Sequence, residues 1–209
     1  MNFRIVLLGE GRVGKTSLTL RYVKGNFDED QISTVQATYF EKSVKIGEKK
    51  VELKIWDTAG QEKFHSLGPI YYRNADGALL VYDCTEVDTF TRVQNWVVEL
   101  RKVVGENIVI CIAGNKCDKK KEIRVDRATA EAYAEKVGAV HFYTSAKANK
   151  NVTEAFLELT KRIVSKKSNT MGPGTMEDDG ISSFTLGSRG STRVVDGNSS
   201  QTGSGSTCC

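Results

Sequence analysis

Residues 9–16 form a glycine-rich octapeptide, GEGRVGKT, which few folds can accommodate. It follows an apolar run, FRIVLL, and precedes KTSLTLRYV, which we predict to be a helix. An apolar run that ends in glycines predicts a buried strand, so the chain is expected to pass from strand to helix through this loop. The spacing G-x-x-x-x-G-K-[ST] in that setting is typical of loops that wrap phosphate groups.

The residue types in this loop suit a nucleoside triphosphate. Gly9 and Gly14 allow the backbone to turn and to point successive N–H groups at phosphate oxygens. Lys15 can neutralise the outer phosphates, and the hydroxyl of Thr16 can bind Mg²⁺. The other loop residues expected to contact the nucleotide are Gly11, Arg12, Val13 and Ser17. A glycine-rich turn without a ligand is the alternative, and the strand–loop–helix setting disfavours it.

The rest of the chain alternates between strand-like and helix-like segments. EKSVKI and VELKIW are joined by a polar turn that contains glycine, which predicts an antiparallel hairpin. GALLVYD (77–83) and IVICIAGN (108–115) are nearly continuous apolar runs, as buried parallel strands are. Between them, residues 89–104 carry apolar side chains at helical spacing. We therefore predict an α/β domain, doubly wound, with ligands at the carboxyl ends of its strands.

Composition divides the chain into a folded domain, 1–167, and a tail, 168–209. In the tail, 23 of 42 residues are Gly, Ser or Thr, a composition that predicts disorder. The net charge of +4 is too small to indicate nucleic-acid binding, and no basic stripe with interleaved aromatics occurs. The five cysteines have no disulfide or metal-binding spacing, which suits a reducing compartment.

A second motif, WDTAGQE at residues 56–62, ends the predicted third strand. Asp57 is placed to hold Mg²⁺ through its water shell, although an Asp at a strand end is often only a helix cap. Gly60 can offer its backbone N–H to a terminal phosphate, and Gln61 can orient the attacking water. With Lys15, these two residues form the predicted catalytic set.

A third motif, NKCD at residues 115–118, follows the strand IVICIAG. The carboxylate of Asp118 can accept two hydrogen bonds from guanine, and adenine has no such pair of donors. Asn115 is expected to brace the phosphate loop, and the stem of Lys116 to lie over the base. A polar loop without a ligand is the alternative for these four residues in isolation.

A fourth motif, TSAK at residues 144–147, follows the last short strand. Ala146 can donate its backbone N–H to the keto oxygen of guanine, while Ser145 and Lys147 shape the loop. This tetrapeptide is weak alone. Because parallel strands bring their carboxyl ends to one edge, four motifs in this order predict a single guanine-nucleotide site.

With these motifs the chain resembles a small GTPase of the Ras superfamily, specifically of the Rab family, over residues 1–166. The Rab-type markers are LKIWDTAGQE (53–62), YYRNA (71–75) and LLVYD (79–83). The usual Rab effector-loop signature is IGVDF, whereas this chain has VQATY. That departure and the stretch FHSLGPIYYRNA are similar to the early-endosomal branch, of the Rab twenty-one type.

The resemblance implies the small G-domain of the P-loop NTPases, with a mostly parallel six-stranded sheet, one antiparallel strand and helices on both faces. It implies further site residues. Phe27 matches the aromatic that packs on guanine, and Thr34 matches the effector-loop threonine that binds Mg²⁺ and the terminal phosphate. Tyr39, Trp56 and Tyr71 match the exposed aromatic triad that docks effectors; core packing is the alternative, especially for Trp56.

The same resemblance implies a molecular switch. Such a protein is expected to bind GTP or GDP, to hydrolyse GTP slowly and to recruit effectors that regulate vesicle trafficking at the cytoplasmic face of endomembranes, here the early endosome. No arginine occurs between Phe27 and Phe40, so an activating protein must complete the catalytic site. The other implied partners are an exchange factor, a GDP-dissociation inhibitor, a Rab escort protein and effectors. The protein is expected to be a monomer that cycles with the cytosol.

The chain ends in two adjacent cysteines, Cys208 and Cys209. A C-a-a-X box would need cysteine at position 206, which is serine, so that lipidation signal is absent. A terminal Cys-Cys resembles the Rab pattern for two geranylgeranyl groups. Two reactive, unmodified thiols are the alternative.

Two other functions compete with the switch. A metabolic P-loop kinase or ATPase would need an acceptor-binding or lid region, and NKCD would have no role in it. A scaffold that binds GTP without hydrolysing it would not need Gln61 or the space that Gly11 leaves beside the terminal phosphate.

Overall fold

The computed structural model of the protein describes residues 1–60 and 71–170. These residues form six strands and four helices, in this order: β1 (Asn2–Leu8), α1 (Lys15–Lys24), β2 (Thr38–Ile46), β3 (Lys49–Asp57), β4 (Gly77–Asp83), α2 (Val87–Val104), β5 (Val109–Asn115), α3 (Arg127–Lys136), β6 (Val140–Tyr143) and α4 (Val152–Thr170). Helix α4 continues past residue 167, so the predicted domain boundary falls inside it. The predicted tail beyond residue 170 lies outside the described residues.

The six strands of the described residues form one sheet in the order β2-β3-β1-β4-β5-β6. β2 pairs antiparallel with β3 as a hairpin, and every other pairing is parallel. The predicted fold is therefore confirmed, including its one antiparallel strand. Because β1, β3, β4, β5 and β6 are parallel, the loops that follow them leave from the same edge of the sheet.

Helices cover both faces of the sheet and enclose two apolar clusters. On one face, α1 and α4 meet through stacked rings of Tyr22 and Phe156, whose centroids are 4.1 Å apart. On the other face, α2 and α3 pack against strands that include Tyr82. The buried apolar face of α2 is the one that helical spacing predicted: Phe90, Val93, Trp96, Val97 and Leu100. Among the described helices, none has the length and apolar character that crossing a bilayer requires.

His141 on β6 makes the stability of this domain depend on pH. Its Nε2 lies 2.9 Å from the hydroxyl of Tyr82, and burial lowers the histidine pKa from 6.5 to about 4. The nearby charges of Glu131 and Arg127 act in opposite directions on this pKa. Between pH 4 and 6.5 the unfolded chain therefore binds more protons than the folded one. The histidine stabilises the fold above this window, and that contribution is lost as pH falls through it.

We expect His141→Gln to weaken this pH dependence. Between pH 7 and pH 5, the wild-type free energy of unfolding should fall by about 2 kcal/mol more than that of the variant. Urea unfolding at both pH values, with GDP saturating, measures this difference. An equal fall in the free energy of unfolding of the two proteins would show that His141 does not set the acid sensitivity.

Candidate nucleotide-binding site

A cavity of about 820 Å³ opens among the loops that follow the parallel strands, a volume that suits a small-molecule ligand. Most of the predicted nucleotide-binding residues line it: Gly11, Arg12, Gly14, Lys15, Thr16, Ser17, Phe27, Thr34, Gly60, Asn115, Lys116, Asp118, Ala146 and Lys147. Gly9, Val13 and Ser145 do not line it but form hydrogen bonds with residues that do. Gln61 lies outside the described residues.

The phosphate loop places a buried lysine in the lining of the cavity. Lys15 is 5% exposed, and its Nζ donates hydrogen bonds to the carbonyl oxygens of Gly9 (2.8 Å) and Glu10 (2.9 Å). Burial lowers its pKa to about 8, against the opposing charges of Asp57 and Glu10. Gly9 has φ +142°, and a Cβ there would lie 2.1 Å from the carbonyl oxygen of Val81. The loop therefore requires glycine at position 9. An anionic ligand would stabilise the charged form of Lys15, which burial disfavours.

Three side chains of the site could hold Mg²⁺: those of Asp57, Thr16 and Thr34. Asp57 is fully buried, and neither of its carboxylate oxygens has a hydrogen-bond partner among the described residues. Burial raises its pKa to about 6, which a divalent cation would reverse. The hydroxyls of Thr16 and Thr34 lie 2.6 Å apart. Within residues 1–60 and 71–170, no group of three or more His, Cys, Asp or Glu could bind a metal. One carboxylate with hydroxyls and phosphate oxygens suits Mg²⁺.

Gly60 lies tightly against the phosphate loop. A Cβ at this position would be 2.4 Å from Nζ of Lys15 and 2.5 Å from the carbonyl oxygen of Glu10. A methyl group has no space there, so only glycine brings the backbone this close to the lysine. The position is consistent with the predicted approach of the Gly60 N–H to a terminal phosphate.

Asn115 braces the phosphate loop, as NKCD predicts. It is 2% exposed, and its Nδ2 donates to the carbonyl oxygen of Val13 at 2.9 Å. Its Oδ1 accepts from the backbone N–H of Ala146 at 3.3 Å and from the hydroxyl of Thr144 at 3.4 Å. Asn115 therefore links the phosphate loop to the TSAK loop. The Ala146 N–H that was expected to face guanine points to Asn115 here.

The predicted base-reading carboxylate, Asp118, is exposed at the mouth of the cavity and is held by TSAK. Its Oδ1 accepts a hydrogen bond from the hydroxyl of Ser145 at 2.5 Å, and that hydroxyl accepts from the N–H of Ala148 at 2.9 Å. Lys147 pairs with Glu29 in the loop that follows α1. The Ser145–Asp118 hydrogen bond therefore joins the TSAK and NKCD loops beside a carboxylate that lines the cavity.

Comparison with known proteins decides the family. Residues 4–165 match the sequence profile of the Ras family. This chain belongs to the Ras family. It is similar to Ras-related protein Rab-21 of Rattus norvegicus, at 50% identity over 207 residues that cover 99% of this chain and 92% of that protein. Rab-21 of Homo sapiens is 57% identical over 163 residues, which cover 78% of this chain and 72% of that protein. Rab-21 of Dictyostelium discoideum is 52% identical over 163 residues, which cover 78% of this chain and 77% of that protein.

Membership of the Ras family makes the chain a small GTPase that binds GTP and GDP and hydrolyses GTP. The resemblance to the Rab family, of the Rab twenty-one type, is confirmed by the same comparisons.

The sequence did not single out Arg21, which joins three parts of this Ras-family site. Its Nε donates to the carbonyl oxygen of Ala146 at 2.8 Å, and its Nη1 donates to that of Gly25 at 2.6 Å. Its guanidinium also lies 5.8 Å from the ring centroid of Phe27. A basic residue near the end of a helix is common, because it offsets the helix dipole, so nothing local distinguishes Arg21.

The three aromatics predicted to dock effectors form one contiguous group. The rings of Tyr39 and Trp56 have centroids 5.2 Å apart, and those of Trp56 and Tyr71 are 6.0 Å apart. The guanidinium of Arg4 lies 4.5 Å from the Trp56 ring and also donates to the carbonyl oxygen of Tyr71. Tyr39 is 41% exposed, whereas Trp56 is partly buried beneath it. Arg4 therefore contacts both Trp56 and Tyr71, and Tyr39 is exposed to a binding partner.

Proposed function

We propose that this Ras-family GTPase is a magnesium-dependent switch in vesicle trafficking, active on endosomal membranes. The observation that carries the proposal is the composition of one cavity. Its lining includes both the buried cation of Lys15, in the phosphate loop, and the carboxylate of Asp118, in the NKCD loop. These two charges suit a guanine nucleotide, whose phosphates are anionic and whose base carries two hydrogen-bond donors on one edge.

The residues of the chain have distinct roles in this proposal. Lys15 and the backbone N–H groups of residues 9–16 bind the phosphates, while Asp118 reads the base. Thr16, Thr34 and Asp57 would hold Mg²⁺, which offsets the negative charge of the phosphates when bound.

The proposed hydrolysis is slow because the chain supplies only part of the catalytic site. Gln61 orients the attacking water, and the N–H of Gly60 stabilises the terminal phosphate. No arginine lies between Phe27 and Phe40 to neutralise the charge that spreads over the transferred phosphoryl group. A GTPase-activating protein would supply that group.

The switch itself would rest on two contacts to the terminal phosphate. In this structure the hydroxyl of Thr34 already meets that of Thr16, and Gly60 already touches the phosphate loop. Loss of the terminal phosphate would release both flanking loops, as in other switches of this kind. Effectors would bind through Tyr39, Trp56 and Tyr71 to the GTP-bound state, in which both loops contact the terminal phosphate. An exchange factor would restart the cycle, and the GTPase would act as a monomer.

Membrane attachment would come from lipid on Cys208 and Cys209. One modest acyl or prenyl chain gives only reversible binding, so stable attachment needs a second signal. Residues 168–209 contain two arginines against four acidic residues, so a basic patch cannot be that signal. We therefore propose two geranylgeranyl groups, with a Rab escort protein for their attachment and a GDP-dissociation inhibitor for return to the cytosol.

Replacing both cysteines tests this part of the proposal. Cys208→Ser with Cys209→Ser should leave GTP affinity unchanged and move the protein from the membrane fraction to the cytosol. Mass spectrometry of the wild-type membrane fraction should detect two isoprenoids, and each single variant should bind membranes weakly. Double-variant protein that stays on membranes, or an unmodified C-terminus there, would contradict it.

A further inference from the structure

Asp83 is a buried carboxylate that the site described above leaves without a role. It is the last residue of β4, is 1% exposed and ends the Rab-type marker LLVYD. Its Oδ1 accepts from the backbone N–H of Thr85 at 2.9 Å and from the Thr85 hydroxyl at 2.7 Å. Its Oδ2 lies 2.5 Å from Nζ of Lys116. Both oxygens are therefore partnered, Oδ1 by Thr85 and Oδ2 by the ammonium of Lys116.

That lysine is the NKCD residue expected to cover the base. Lys116 lines the cavity, has φ +64° and keeps 31% of its side chain exposed. A lysine stem has many rotamers, so an unattached one would lie across the cavity only part of the time. The buried carboxylate of Asp83 binds the ammonium of Lys116. With its ammonium held there, the stem of Lys116 lines the cavity.

The backbone fixes this pair in place. Asp83 and Asn115 are register partners on the neighbouring strands β4 and β5, and the N–H of Cys84 donates to the carbonyl oxygen of Asn115 at 2.9 Å. Thr85 then holds one carboxylate oxygen of Asp83, so the other faces Lys116. The end of β4 and the NKCD loop therefore form one connected support beside the base.

We infer that Asp83 is a positioning residue for guanine-nucleotide binding. It acts through Lys116, holding that side chain over the base and so slowing nucleotide dissociation. The inference rests on the proposed function, together with the expectation from NKCD that the stem of Lys116 lies over guanine. Asp83 itself touches no ligand, so its effect should vanish when Lys116 is absent.

The direct test is Asp83→Asn, an isosteric change that keeps an acceptor for Thr85 but turns an amide toward Lys116. We expect GDP to dissociate about tenfold faster, as loss of one charge-assisted contact implies. The matched control is Asp76→Asn, just before the other end of β4. Asp76 accepts from the N–H of Arg4 at 2.7 Å and pairs with Lys167 at 2.7 Å, so it makes the same kinds of contact far from the base. Asp76→Asn should leave GDP dissociation unchanged.

The measurement is displacement of fluorescent GDP by excess GDP in magnesium buffer, with thermal unfolding recorded for each variant. In a Lys116→Met background, Asp83→Asn should not accelerate dissociation further. A wild-type rate in Asp83→Asn, an equal acceleration in Asp76→Asn, or full additivity with Lys116→Met would overturn the inference. Wild-type protein that binds no GDP would instead overturn the proposed function on which it rests.

Discussion

Asp118→Asn is expected to weaken GTP binding by about a thousandfold or more, the scale at which a site built for specific hydrogen bonds rejects the wrong partner. The wild-type carboxylate can accept from both donors of guanine, whereas an amide would turn its own N–H₂ group toward one of them. Ser145 holds Oδ1 of this carboxylate at 2.5 Å, so the side chain has little freedom to move away from the mismatch.

The same variant should bind xanthosine triphosphate better than GTP. The reason is that the xanthine base has a keto oxygen that can accept a hydrogen bond from the new amide. Competition binding with both nucleotides measures the ratio of the affinity for xanthosine triphosphate to the affinity for GTP. Asp28→Asn is the matched control, since Asp28 also lines the cavity and carries the same charge, and it should leave the ratio unchanged. Wild-type GTP affinity in Asp118→Asn would show that another residue reads the base.

Lys15→Met is expected to lower the affinity for GTP and GDP by about a hundredfold while reducing that for guanosine monophosphate much less. The methionine keeps the length of the stem but removes the ammonium, whose charge-assisted hydrogen bonds to the outer phosphates would be lost. In this structure that ammonium is held within the phosphate loop by the carbonyl oxygens of Gly9 and Glu10.

Equilibrium binding of the three nucleotides tests this expectation. Lys24→Met is the control, because Lys24 lies at the far end of α1 and is exposed. An equal loss of affinity for guanosine monophosphate would indicate damage to the fold rather than loss of a phosphate contact.

Much of the fold could be predicted because its signals are local. The runs GALLVYD and IVICIAGN are apolar throughout, as strands covered on both faces must be, and the structure has strands there. The role of Asn115 as a brace could be predicted because the motif fixes both its strand and its loop.

Other features have no local signal. Arg21 contacts Ala146, 125 residues away, and its helix would carry a basic residue in that turn in any case. Composition places the boundary between domain and tail after residue 167, because Ser168 and Asn169 resemble the polar tail. The helix continues through them, since each further residue adds a backbone hydrogen bond at little cost. Asp83 has no local signal either, because a carboxylate at a strand end can equally cap a turn.

The cavity is expected to select guanine, and the chain alone is expected to hydrolyse GTP slowly. A single-turnover assay with Mg²⁺ and equal concentrations of GTP or ATP measures both properties. We predict conversion of bound GTP to GDP at a rate on the order of 10⁻⁴ to 10⁻³ per second, with no detectable conversion of ATP. Comparable turnover of ATP would show that the cavity does not select guanine, and tight GTP binding without any GDP formed over many hours would show that the chain is not a GTPase.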